Sequence, residues 1–198
     1  MVALRRRSSD HLSVAEFLAW DSGDRSGRRW QLCDGVPLAM APATEPHGAI
    51  QAELGALIRN HLVAVGSRCR VIAEPGVVPR IRAADNFRIP DLAVTCAPPA
   101  NERLLSEPVV LVEILSPSNA DETWANVWPY TTIPSVTEIV VISSSEIAAQ
   151  LLHRAADGSW PEQAEQIGRG DELVLPNIGL RLPLVAAYRT TTLADETA

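Results

Sequence analysis

Apolar residues recur along this chain with two different periods, and the switches between them mark out the elements. From residue 46 to 65, Ile50, Leu54, Leu57, Ile58, Leu62 and Val65 fall at three- and four-residue steps, which predicts one apolar face of a helix ending near Gly66. A shorter helix is expected at 13–18, where Ser13 and Glu16 have the spacing of a capping box. Residues 30–33 and 36–40 flank Asp34-Gly35, a two-residue hairpin signal. Three runs rich in Val, Ile and Leu, at 69–78, 87–96 and 109–115, are bounded by Pro, Gly and Asn and read as central strands. The third is apolar on both faces except at Glu113, as expected of a strand in the middle of a sheet. A second helix is predicted over 120–130, a further strand over 138–142, and an antiparallel meander over 147–153, 160–167 and 171–175. This order predicts an α/β fold (an α+β mixed sheet) with flanking helices, one domain over 1–198 whose ends, 1–12 and 190–198, are expected to be flexible.

Composition narrows the function classes. With 198 residues, 46% of them hydrophobic, the chain can bury one substantial core. Its basic start, Arg5-Arg6-Arg7, is not followed by an apolar stretch, so neither a signal peptide nor a membrane span is expected and the reading is cytoplasmic. Cys33, Cys69 and Cys96 lack C-x-x-C spacing and read as reduced core thiols. His11, His47, His61 and His153 lack the spacing of a zinc site. A net charge of -7 repels a polyanion, so nucleic-acid binding would need a local arginine-rich surface. All 17 basic residues are arginine; the chain contains no lysine.

The candidate chemistry is acidic. Asp91 follows Pro90 at the start of an apolar run, and Glu113 lies on the next predicted strand. A carboxylate among Val, Leu and Ile is costly to bury unless it is paired, hydrogen-bonded or bound to a cation. Two such acids converging from neighbouring strands point to a divalent metal, and all-oxygen ligation favours Mg²⁺ or Mn²⁺ over Zn²⁺.

Three segments carry a resemblance: Ile89-Pro90-Asp91-Leu92-Ala93-Val94, Val110 to Ser118 with Glu113 inside it, and Tyr130-Thr131-Thr132-Ile133-Pro134-Ser135. Together they resemble the Uma-two family of restriction endonucleases, from the Ser13 helix through the Asp34-Gly35 hairpin and His47-Gly48 to Gly179-Leu180. The family is similar in fold to the PD-(D/E)xK nucleases, so the resemblance implies a restriction-endonuclease-like core and metal-dependent hydrolysis of DNA phosphodiesters. It implies that Asp91 and Glu113 bind the metal, with the Ile114 carbonyl assisting and Glu74 as an additional acid. Where related sequences carry a lysine four residues before the tyrosine, this chain has Asn126, which could orient a water but supplies no charge. Arginine is no simple replacement, because its guanidinium is a planar fork rather than a compact charge. Arg88 and His47 are the candidate substrate contacts.

The residues leave a second and a third reading open. The second is a catalytically degenerate nuclease fold acting as a nucleic-acid-binding or interaction module; the third is an interaction protein whose buried acids hydrogen-bond internally. Trp124, Trp128 and Tyr130 are expected to pack rather than stack on bases, and Glu53 and His61 to lie at the surface. Exposed apolar positions around the meander would suit a homodimer, and two active sites would suit double-strand cleavage.

Overall fold

The computed structural model describes residues 11–117 and 120–195. Its elements run α1 (Val14–Leu18), β1 (Trp30–Cys33), β2 (Val36–Ala39), α2 (Glu45–Ala64), β3 (Arg70–Ala73), β4 (Leu92–Thr95), β5 (Pro108–Leu115), α3 (Ala120–Tyr130), β6 (Glu138–Ser143), β7 (Ala148–His153), β8 (Glu165–Gly168), β9 (Glu172–Leu175) and β10 (Leu180–Pro183). Strands β3 to β8 form one six-stranded sheet in chain order. Only β5 and β6 pair in parallel; the other neighbours are antiparallel. A parallel pair cannot be closed by a tight turn, and α3 supplies the crossover.

Alternation along β5 divides the core. Val110, Val112 and Ile114 pack with Ile50, Leu54, Ile58 and Leu62 of α2, whereas Leu111 packs with Val127 and Tyr130 of α3. The capping box at Ser13 forms, its hydroxyl and Glu16 satisfying each other's backbone amides. The Asp34-Gly35 hairpin also forms, both residues having positive φ as a tight two-residue turn requires.

Several expectations are corrected. The strands expected at 69–78 and 87–96 are shorter, because prolines interrupt the ladder and leave only an isolated Val77–Arg88 bridge beyond it. The meander loses its third strand: β9 turns away to pair with β10 as a separate two-stranded ribbon. Cys69 and Cys96 are not reduced thiols but a disulfide, with Cys33 free. The register Arg70↔Thr95 makes them the next cross-strand pair, a proximity that spacing alone does not reveal. Glu53 is buried rather than exposed and pairs with Arg189 at 2.7 Å. His61 is part-buried and bonds the Ile178 carbonyl at 2.9 Å. Trp128 is exposed, whereas Tyr130 is fully buried and Trp124 part-buried. The exposed large hydrophobic residues, among those described, are Val36, Leu38, Val63, Val65, Ile81 and Trp128, none of them in the meander. Of the ends expected to be flexible, 1–10 and 196–198 lie outside the described residues; Thr192–Ala194 form a 3-10 turn, and Arg169 donates to the Leu193 carbonyl. Among the described residues, no helix is long and apolar enough to cross a membrane.

Candidate active site

The register of the sheet brings the two acids together. Leu92 pairs with Val112 across the antiparallel β4–β5 ladder, so the next position places Asp91 opposite Glu113. Both are buried, at 8% and 6% exposure. Glu113 points to the α3 side by strand alternation, and there the Tyr130 hydroxyl donates to its Oε1 at 2.7 Å. Burial, reinforced by the adjoining Glu113 charge, holds the Tyr130 hydroxyl well above its ordinary pKa of 10.0, so it remains a donor at any physiological pH.

Asp91 is held from two directions. Its Oδ2 accepts the Ile114 backbone N–H at 2.6 Å, and its Oδ1 lies 2.9 Å from His47 Nε2. An ionised carboxylate can only accept, so Nε2 carries the proton in that bond. His47 sits in the first turn of α2, which starts after Thr44 with a proline in its opening positions. One turn later Gln51 donates to the Asp91 carbonyl at 2.9 Å and to Glu74 Oε1 at 3.3 Å. His47, a candidate substrate contact from the sequence, is buried and positions Asp91.

Glu74 reaches the same edge through its backbone, whose N–H donates to the Asp91 carbonyl at 3.0 Å. Its φ of 53° turns the chain there, and its carboxylate contacts Arg29 as well as Gln51. Among the described residues, no three His, Cys, Asp or Glu side chains are grouped so as to hold a metal ion. The converging pair is Asp91 and Glu113, with Glu74 outside it.

Asn126 and Arg88 meet each other. Asn126, one turn before Tyr130 on α3, accepts from Arg88 Nη1 at 3.0 Å. Arg88 is buried, donates from Nη2 to Asn86 Oδ1 at 3.0 Å, and contacts Cys33 Sγ. Three positioning contacts escaped sequence reasoning: Gln51, Asn86 and the Tyr130 hydroxyl. For two of them a signal existed, since His47/Gln51 and Asn126/Tyr130 are each polar pairs four residues apart on otherwise apolar helix faces.

Residues 14–184 match the Uma2 family, described as "Putative restriction endonuclease". An uncharacterized protein from Synechocystis sp. is 30% identical over 181 residues, covering 90% of this chain and 92% of its own length. The crystal structure of a "putative nuclease belonging to DUF820" from Anabaena variabilis superimposes with a TM-score of 0.70 at 17% identity, covering 89% of this chain and 97% of its own. That likeness establishes that the two chains share a fold, and the match over 14–184 establishes the lineage: this chain belongs to the Uma2 family.

Proposed function

We propose that this protein is a divalent-metal-dependent DNA endonuclease whose metal is held by Asp91 and Glu113. The observation that carries the reading is the pair itself: two buried carboxylates at opposed register positions on the neighbouring strands β4 and β5. The donor set fits a hard cation. Each carboxylate oxygen can accept more than one partner, so the bonds from His47, Ile114 and Tyr130 leave lone pairs for Mg²⁺ or Mn²⁺. When bound, such a cation supplies Lewis acidity and neutralises charge developing on a phosphate.

The chain's own residues do the positioning. His47 and the Ile114 amide fix the Asp91 carboxylate, while Tyr130 fixes Glu113. These outer bonds restrict each acid to one orientation, the usual way a protein sharpens a metal site. Glu74 would join as a third acid by exchanging Arg29 and Gln51 for the cation.

A second reading, a nuclease fold that binds without turnover, is favoured by one observation: the chain has no lysine, and Asn126, where the family resemblance implies one, accepts from Arg88. Nicking of supercoiled plasmid with Mg²⁺ or Mn²⁺ separates the two. The endonuclease reading expects cleavage that EDTA abolishes and that Asp91→Ala lowers at least about a hundredfold, more than the loss of an outer-shell partner costs. Absence of cleavage, with metal binding that Asp91→Ala removes, would establish the silent scaffold.

A further inference from the structure

Arg88 is 6% exposed and makes no ion pair with a carboxylate among the described residues. Its guanidinium is held by Asn126, Asn86 and the Cys33 sulfur, and its Nε is buried without a partner. A buried cation with no carboxylate at contact distance is costly, and it is the arrangement expected where an anionic ligand completes the site.

A second arginine is tied to the same anchor. Asn86, 1% exposed, accepts from Arg88 with its Oδ1, and its Nδ2 donates to the carbonyls of Ile81 and Arg82 at 3.4 and 3.3 Å. One side chain thus fixes Arg88 and the turn that presents Arg82, whose φ of 47° is rare for a residue with a side chain. Arg82, Arg88, Asn86, Asn126, Cys33 and Asp34 line a cleft of about 730 Å³. The charge opposing an anion there is Asp34, which pairs with Arg82 at 3.1 Å. Both partners of that pair are more than half exposed, so it is weak and readily exchanged.

We propose that this cleft binds a backbone phosphate of duplex DNA, with Arg88 as the fixed charge at its floor and Arg82 as the exchangeable one at its rim. The proposal rests on the nuclease reading and deepens it. Arg88 lies three residues before Asp91, and its anchor Asn126 shares α3 with Tyr130, so a phosphate held here neighbours the acid pair. In a chain of net charge -7 without lysine, the cleft supplies the local positive surface that DNA binding needs, and the guanidinium fork suits a phosphate.

The test is fluorescence anisotropy of a short labelled duplex, with and without Ca²⁺, across a salt series. Arg82→Gln should weaken binding roughly five- to tenfold and lower the slope of log affinity against log salt by about one. Asp34→Asn, which keeps the bonds to Asn86 but removes the opposing charge, should tighten binding severalfold. Arg88→Lys should weaken it less than Arg88→Met. Arg82 and Asp34 are exposed, so their variants keep the fold, which the unfolding temperature verifies. Unchanged affinity and slope in both of these variants, or no duplex binding by the unmodified chain, would overturn the proposal. Nicking that both variants leave untouched keeps the nuclease reading and removes the cleft; binding that both shift, without nicking, does the reverse.

Discussion

The two faces of the six-stranded sheet bury different kinds of surface. Under α2, the strands meet the helix through carbon over most of its length, Ile50, Leu54, Ile58 and Leu62 against Val94, Val110, Val112, Ile114, Val140 and Ile142; only near the start of the helix do His47 and Gln51 bond Asp91. Under α3, Leu111, Ile139 and Val141 are interleaved with Glu113, to which Tyr130 donates from the helix, while Asn126 and Arg88 bond to each other alongside. β5 serves both, sending Val112 and Ile114 one way and Glu113 the other. A buried acid and a buried guanidinium are tolerated on one face because the other supplies an uninterrupted apolar layer, whose burial favours folding by roughly 25 cal/mol per Å². Beyond the start of α2, stability and chemistry are therefore separable by face, and substitutions can challenge that separation.

The largest effect on stability is expected from Leu54→Ala. It should lower the unfolding free energy by about 2–5 kcal/mol in denaturant titration, while leaving duplex binding per folded molecule unchanged. Reducing the Cys69–Cys96 disulfide, which joins β3 and β4 beside the same apolar layer, should cost about 2–4 kcal/mol. Comparing melts with and without a thiol reductant measures it.

On the other face, Tyr130→Phe leaves the buried Glu113 carboxylate short of a donor. It should cost about 1–3 kcal/mol and, unlike Leu54→Ala, weaken Mn²⁺ binding measured by calorimetry. A loss confined to stability would show that the α3 face is structural as well.

The smallest effect is a pH dependence at Glu138. Burial raises its carboxyl above the ordinary 4.5, while the Asn177 amide and His153 partly oppose the shift. The native chain thus holds this proton more tightly than the unfolded one. The stabilisation is complete below pH 4.5 and is lost as pH rises through the raised native value. Glu138→Gln, which cannot titrate, should flatten that part of the stability profile.

Much of this architecture was legible in the sequence. The stripe from Ile50 to Leu62, the Ser13 capping box and the Asp34-Gly35 hairpin are local patterns, and each appears where it was expected. Glu113 stood out because a lone acid in an apolar strand has few structural explanations. What escaped depends on register and packing, which spacing does not encode. Cys69 and Cys96 face each other only because β3 and β4 pair as they do, and β9 leaves the meander only because β10 offers it a partner. His47 looked like a helix-start residue until the end of β4 placed Asp91 beside it.

The single parallel pair has a consequence for how the chain acquires its site. β4 and β5 are sequential antiparallel strands, so Asp91 can meet Glu113 through a short-range contact. Tyr130 follows Glu113 by 17 residues, a shorter span than the one from Asp91 to Glu113, so α3 can settle on β5 through an equally local contact, whereas the parallel β5–β6 pairing closes a longer loop around α3. The two acids and the hydroxyl that orients one of them are thus drawn from one consecutive stretch of chain, complete before β6 begins.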